Sequence, residues 1–344
     1  MDNYSLKKKP HYPVSEKLRE YLNYYSREIK FGVEYKDLTR YNNAVPLYNL
    51  KGKDTLWESV LFPQSEMEHL NKTLIDIYSI LKTGGDTSVT EHLSVDRIDY
   101  CTFGNSNPFR IRILNIFNEN FDYFYVKQAD ASRIYGLQLE HILSPNRITY
   151  FVDGNTLIEE HIAGIPGDMF IENNLHDKGI NELRLAKEFV KFNERCFVRL
   201  LGDMRSYNYI IDITPDFEQV HYRIRAIDFD QQSYEGRKNL YFPQYFKENK
   251  AFVDLCIKYM TPESVLQYKL EEYTLIVKRI KAAGNMFNDL LKCMCMDTIS
   301  TKEKIANLAE ELANHYQDKS FLNCTTMGEL VNASLQAVVN KVKN

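Results

Sequence analysis

The chain has 344 residues, a formal net charge of −4 and 44% hydrophobic residues. At roughly 150 residues per domain, this length permits one large domain or two to three small ones, with a substantial core. The weakly acidic charge argues against binding nucleic acid through net charge, so we expect no nucleic-acid partner. Because no window holds about 18 uninterrupted apolar residues, we expect no membrane span.

The amino terminus has no apolar signal core, so we expect a cytoplasmic protein. The lysines of Lys7–Lys9 are expected to be solvated. Five of the six cysteines lie in apolar stretches, which predicts reduced, packed thiols. Cys293 and Cys295 have neither a second cysteine pair nor nearby histidines, so we expect no zinc site.

Residues 1–90 are predicted to form a helical extension. Ser15 can cap a helix whose apolar residues recur at spacings of three and four. The stretch Ser65–Glu68 reads as a capping box that opens a second helix with an apolar stripe. Gly84–Gly85 is expected to end that second helix.

Residues 91–163 change from a helical to an alternating pattern, which predicts an antiparallel sheet lobe. The predicted order is strand, strand, strand, short helix, strand, strand. The predicted segments are Ile98–Phe103, Phe109–Ile113, Phe121–Lys127, the helix Ala131–Leu143, Arg147–Val152 and Thr156–Ile162.

Residues 164–344 are predicted to form a mainly helical lobe. Asn181–Leu201 carries two adjacent apolar stripes, as expected for a buried helix. A β-hairpin follows, with strands Tyr209–Ile213 and Val220–Ala226. The remaining segments are helical, with starts at Thr261–Pro262, Ser300 and Thr326. The expected fold class is therefore α+β, with two lobes and an amino-terminal extension.

Polar residues at three points of this pattern fit phosphoryl transfer. Lys127 lies at the end of an apolar strand, Asp203 precedes Asn208 by five positions between a helix and a strand, and Asp228 leaves the hairpin. Transfer of a γ-phosphoryl group requires charge neutralisation and in-line positioning more than covalent help. A lysine can hold phosphates, an aspartate can accept a hydroxyl proton, and Asn and Asp supply the oxygen ligands that Mg²⁺ prefers.

The motifs D-x-x-x-x-N at Asp203–Asn208 and I-D-F at Ile227–Phe229, separated by a hairpin, resemble the protein-kinase-like superfamily. The similarity is greatest to its aminoglycoside and choline phosphotransferase branch. It runs from about Gly104 to Asp230. The resemblance implies a bilobal kinase-like fold, with ATP and Mg²⁺ as cofactors.

The resemblance also implies a role for each matching residue. Asp203 would be the catalytic base, and Asn208 and Asp228 would bind Mg²⁺. Lys127 would hold the α- and β-phosphates and pair with the helix residue Glu140.

The nucleotide itself would be held by three further residues of the resemblance. Backbone groups of Glu160 and Ile162, in the segment that links the lobes, would bind adenine. Gly104 would be the remaining glycine of the phosphate loop, where Asn105 and Ser106 can substitute for the missing ones.

Several positions depart from the family pattern. Leu201 stands where a histidine is usual, Asp230 follows Phe229 in place of glycine, and no A-P-E motif follows. Asp230 can serve a second metal or face solvent. Arg205 can contact the acceptor or phosphate, or be a solvated loop residue.

These residues leave three functions open. The leading hypothesis is an ATP- and Mg²⁺-dependent phosphotransferase whose acceptor hydroxyl belongs to a small molecule or sugar rather than a protein. The alternatives are a non-catalytic kinase-like binding module, and the same fold transferring AMP. The sequence does not fix the oligomeric state.

Overall fold

The computed structural model describes residues 9–85, 87–104, 106–217 and 220–343. The described residues group into two units. We call residues 9–130 and 148–161 the sheet unit, and residues 131–147 and 162–343 the helical unit.

The sheet unit is built on an antiparallel sheet with the strand order β1-β2-β3-β4-β5-β7-β6. Its strands are β1 (Asn43–Tyr48), β2 (Asp54–Leu61), β3 (Leu93–Cys101), β4 (Phe109–Asn115), β5 (Phe121–Gln128), β6 (Tyr150–Asp153) and β7 (Thr156–Glu160). Its helices are α1 (Glu16–Tyr24), α2 (Tyr35–Leu38) and α3 (Gln64–Thr83).

The core of the sheet unit lies between one face of the sheet and α3. Phe109, Ile111 and Ile113 alternate along β4, and all are buried against the apolar side of α3, which includes Leu74 and Ile77. Period-2 alternation on a strand and a stripe on a helix produce this two-layer packing.

The two helices predicted in residues 1–90 are confirmed as α1 and α3. Ser15 accepts the predicted capping hydrogen bond, and Gly84 ends α3 with a left-handed φ of 67°. The predicted capping box at Ser65–Glu68 is wrong, because α3 begins at Gln64 and Pro63 at its N-cap makes no side-chain cap bond.

The prediction of a wholly helical extension over residues 1–90 is also wrong. β1 and β2 lie within it, and Trp57 of β2 pairs with Cys101 of β3. Glu28 forms a parallel bridge to Val152 at the opposite edge of the sheet. Short strands with few alternating residues give a weak periodic signal, so the hairpin was masked by the two strong helical stripes.

The side chain of Lys9 is buried, which contradicts the prediction of a solvated lysine. Its ammonium forms an ion pair with Asp130 at 2.7 Å, and the lysine side chain is 4% exposed. Lys7 and Lys8 lie outside the described residues. The ion pair attaches the first described residue to the short segment that follows β5.

The helical unit contains most of the remaining helices and a small antiparallel sheet, β10-β9-β8. Its helices are α4 (Ala131–Leu143), α5 (Gly167–Asn173), α6 (Glu182–Val198), α7 (Lys250–Tyr259), α8 (Pro262–Ala283), α9 (Asn285–Met296), α10 (Lys302–Tyr316) and α11 (Met327–Lys343). Its strands are β8 (Ile165–Pro166), β9 (Tyr209–Pro215) and β10 (Val220–Ala226).

The helix starts of this unit follow the predicted chemistry closely. The Thr261 side chain accepts a capping hydrogen bond from the Ser264 amide, and Pro262 occupies the first position of α8. Before α11, the Glu329 carboxylate accepts a hydrogen bond from the Thr326 amide. At α10 the capping residue is Thr301, one position after the predicted Ser300. The helix α6 is buried as its two stripes predict, with Phe189, Phe192 and Cys196 inside.

The α+β class is confirmed, with an antiparallel sheet in one unit and mainly helices in the other. The helix α4, predicted as part of the sheet lobe, groups with the helical unit. In the described part of the chain, no helix is both long and apolar enough to cross a bilayer. The six cysteines are free thiols.

Candidate functional site

Two loops of the helical unit are joined side by side and bring Asp203, Asn208 and Asp228 to one end of the β9–β10 hairpin. Tyr209 and Ala226 are paired at that end of the hairpin. Beyond this pair, the Ile227 amide donates to the Asn208 carbonyl at 3.0 Å. Asn208 and Asp228 therefore lie next to each other in space although 20 positions separate them.

The same two loops are joined a second time on the other side of Asp203. The Gly202 amide donates to the carbonyl of Gln231 at 3.2 Å, and Ser233 donates to Leu200 at 2.7 Å. Leu200 and Asp203 both have a φ of 56°, in the left-handed region that few non-glycine residues adopt. Such strain, held by surrounding hydrogen bonds, is typical of a functional loop.

The Asp203 carboxylate is held by two neighbours in its own loop. Arg205 donates to it through Nε at 2.8 Å, and the Asn208 side-chain nitrogen lies 3.4 Å from its second oxygen. The other end of the Arg205 guanidinium binds Glu248 at 2.8 Å. Arg205 is therefore an oriented partner of Asp203, not the solvated residue of the alternative prediction.

Burial raises the pKa of the Asp203 carboxyl above its ordinary value, and the Arg205 guanidinium opposes that rise. The nearby carboxylates of Glu248 and Glu235 also raise it. A carboxyl whose pKa is raised while it stays partly accessible is suited to accept a proton.

Asn208 is buried and has its side-chain nitrogen committed to Asp203. That nitrogen donates to the Asp203 backbone carbonyl at 2.7 Å. The amide oxygen of Asn208 is therefore the atom that it can offer to a cation.

Asp228 is held by a residue that the sequence analysis did not single out, Arg133 of α4. The guanidinium contacts the Asp228 carboxylate at 3.1 Å and the Asp230 carboxylate at 3.0 Å. Asp230 also donates its backbone amide to Asp228 at 3.0 Å. Because the Asp230 side chain is largely buried in this ion pair, the alternative in which it faces solvent is wrong.

The geometry suits a metal ion whose ligands come partly from the protein and partly from a phosphate group. Within the described ranges, no group of three His, Cys, Asp or Glu side chains could hold a metal by itself. Asn208 and Asp228 supply one amide and one carboxylate oxygen. Mg²⁺ is commonly bound through one or two carboxylates, with substrate phosphates and water completing its octahedron, so these two residues fit it.

Lys127 and Glu140, which were expected to pair with each other, each have a different partner within their own unit. In the sheet unit, buried Lys127 donates to Glu159 of the neighbouring strand β7 at 2.6 Å. In the helical unit, buried Glu140 forms an ion pair with Arg199. Arg199 follows the last residue of α6, so Glu140 anchors the start of the loop that carries Asp203.

The structure places the predicted nucleotide-binding residues as follows. Gly104 lies in the exposed β3–β4 connection with a φ of 94°, and Asn105 lies outside the described residues. Glu160 donates its backbone amide to Thr149 at 3.0 Å, so this amide is already paired, and the role of Glu160 toward adenine stays a prediction. Ile162 is buried and belongs to the helical unit.

Four charged partners were not predicted from the sequence: Arg133, Arg199, Glu159 and Glu248. Arg133 was the easiest to find, because the one arginine in the mainly apolar helix Ala131–Leu143 requires a counter-ion when the helix is buried. The partners of the other three come from distant positions, and no sequence spacing connects them.

Comparison with known proteins gives little further information. No protein-family model matches the chain, and no curated protein matches it. Among solved structures, the Rio2 kinase–ADP/Mg²⁺–phosphoaspartate complex from Chaetomium thermophilum is similar over 87% of this chain and 81% of that chain. The identity is 10% and the TM-score is 0.31, which is too slight to carry an argument about the site.

Proposed function

We propose that this protein is an ATP- and Mg²⁺-dependent phosphotransferase that moves the γ-phosphoryl group to a hydroxyl. One observation carries the proposal: Asp203, Asn208 and Asp228 are fixed together at one end of the β9–β10 hairpin by the hydrogen bonds between their loops. A candidate base and two oxygen ligands in this order are the parts that phosphoryl transfer requires.

Asp203 is the proposed base. Its carboxylate takes the proton of the acceptor hydroxyl as that oxygen forms a bond to the γ-phosphorus, and ADP leaves with the electrons of the broken P–O bond. The raised pKa of Asp203 favours this proton acceptance, and the Arg205 guanidinium opposes the rise.

Asn208 and Asp228 are the proposed Mg²⁺ ligands. When bound, the ion would neutralise charge on the phosphate oxygens during transfer. The Asn208 amide performs a second task, because its nitrogen orients the backbone of Asp203 while its oxygen would bind the metal.

Lys127 of the sheet unit is the proposed phosphate-binding cation. Its ammonium is held by Glu159, a role that the family resemblance gave to Glu140. Glu140 acts instead through Arg199 on the loop of Asp203. Glu160 and Ile162 remain proposed contacts of adenine, and Gly104 remains a proposed contact of phosphate.

We infer a small molecule or sugar as the acceptor, in a cytoplasmic protein of the aminoglycoside and choline phosphotransferase type. The non-catalytic alternative is disfavoured by the raised pKa and left-handed backbone of Asp203, since a binding module has no need of either.

The test is to incubate the full chain with Mg²⁺-ATP and pools of amino sugars, choline-like alcohols and monosaccharides. Mass spectrometry then follows nucleotide and acceptor together. ADP formed with a phosphorylated acceptor supports the proposal, and the Asp203→Asn variant should abolish both. An adenylylated acceptor formed with pyrophosphate would show AMP transfer in place of phosphoryl transfer. ATP that binds but stays unchanged would favour the non-catalytic binding module.

A further inference from the structure

Arg133 lies where a cation is expected in the candidate site. Its side chain is 3% exposed, and its guanidinium contacts the carboxylates of Asp228 and Asp230 through separate nitrogens. Arginine keeps its proton under all ordinary conditions, so this is a permanent positive charge between two carboxylates.

Building on the proposed function, we propose that the site takes a single divalent ion with each nucleotide, because Arg133 occupies the place of a second cation. Kinase-type sites often use two metal ions to neutralise the transferring phosphate. Here one of those charges would be built into the fold.

The distribution of exposure supports this assignment. The side chain of Asp228 is 35% exposed and can reach a ligand, whereas that of Asp230 is 11% exposed. Asp230 therefore serves Arg133, and Asp228 is shared between Arg133 and the expected ion. A second ion would have to displace a guanidinium that already binds one oxygen of each carboxylate.

The side-chain charges support the same assignment. Arg133 reduces the formal charge that Asp228 and Asp230 together offer to a cation from −2 to −1. A second divalent ion at Asp230 would also approach the Arg133 guanidinium at close range, where partly buried charges are poorly screened.

The helix that carries Arg133 is firmly attached to the segment it neutralises. Ser132 donates its hydroxyl to the Gln232 carbonyl at 2.5 Å. Gly136 packs so closely that a Cβ there would lie 2.9 Å from the Cβ of Phe229. Arg133 therefore cannot move far from Asp228 and Asp230 without separating packed backbone.

The test measures how many Mn²⁺ ions bind to the full chain saturated with a non-hydrolysable ATP analogue. Electron paramagnetic resonance reports free Mn²⁺, and the analogue alone is titrated for subtraction. We expect one ion for the wild type and for Arg133→Lys, which keeps the charge. Arg133→Met, which removes it, should bind a second ion.

Each result is decisive without activity data. Two ions in the wild type, or one ion in a folded Arg133→Met variant, would overturn the proposal while the phosphotransferase function stands. No nucleotide-dependent Mn²⁺ binding in the wild type would remove the proposed function itself, and this inference with it. If Arg133→Met does not fold, the wild-type count and Arg133→Lys still decide.

Discussion

The side-chain amide of Asn208 donates a hydrogen bond to the backbone carbonyl of Asp203 at 2.7 Å. A proposed metal ligand therefore holds the proposed base in its left-handed conformation. Binding of a cation to the Asn208 oxygen and the position of the Asp203 carboxylate are coupled through one amide group.

This coupling predicts that Asn208→Asp is more damaging than a simple ligand exchange. The new carboxylate is still a metal ligand, but it cannot donate to Asp203 and repels its charge. We expect turnover to fall by about 100-fold or more, the range typical of lost acid–base positioning. Steady-state kinetics measure this, with the exposed Asn288→Asp on α9 as the matched control. Turnover within a few-fold of the control would contradict the assigned role of Asn208.

Asp203→Asn should inactivate the protein and stabilise it. A raised folded-state pKa means that the native protein binds this proton more tightly than the unfolded chain does. Ionised Asp203 thus reduces stability once the pH exceeds the pKa that Asp203 has in the unfolded chain. A neutral amide at this position removes that cost. Asparagine also tolerates the left-handed φ.

Urea denaturation near neutral pH measures this effect, with Asp203→Ala as the comparison. The free energy of unfolding of Asp203→Ala is expected to be about 1 kcal/mol lower than that of Asp203→Asn, because alanine tolerates this φ less well. An active Asp203→Asn protein would contradict the role of Asp203 as the base.

Removing the charge of Arg205 and removing that of Glu248 should shift the pH profile of turnover in opposite directions. The base must be ionised, so turnover falls as the pH drops through the pKa of Asp203. Removing the Arg205 cation in Arg205→Met raises that pKa and moves the acid limb to higher pH. Glu248→Gln removes a charge that raises the pKa, so the acid limb moves to lower pH. Profiles of kcat against pH measure both, and shifts of the same sign would contradict the account.

Glu140→Gln tests whether Glu140 supports the loop or binds nucleotide. The change leaves Arg199 buried without its ionic partner, which typically costs about 3–5 kcal/mol of stability. We expect a lower Tm with an unchanged KM for ATP in the fraction that remains folded. The double variant Glu140→Gln, Arg199→Met is the control and should recover much of the loss. A normal Tm with a raised KM would instead favour the pairing with Lys127 that the sequence predicts.

Local sequence signals predicted the elements well and the ion pairs poorly. The α3 and α6 stripes and the Thr326 cap depend on spacing within one element, so periodicity and capping chemistry were sufficient. The hairpin β1–β2 was missed because its strands alternate only briefly between two stronger helical patterns.

The site was predicted in part for the same physical reason. Asp203, Asn208 and Asp228 meet because a hairpin brings its own ends together, which is a local property. The partners of Glu140, Lys127 and Asp228 depend on which buried charges meet in three dimensions. The spacing of residues along the sequence does not indicate which buried charges will pair.

The most direct test of the central claim is the thermal stability of the full chain with Mg²⁺-ATP, beside the Asp228→Asn variant. The account predicts that Mg²⁺-ATP at 100 times its Kd stabilises the wild type by about 2.7 kcal/mol, as binding to the native state alone requires. ATP with a chelator, or Asp228→Asn with Mg²⁺-ATP, should give a much smaller rise in Tm. No rise at millimolar Mg²⁺-ATP, or an equal rise in Asp228→Asn, would contradict the assignment of this site.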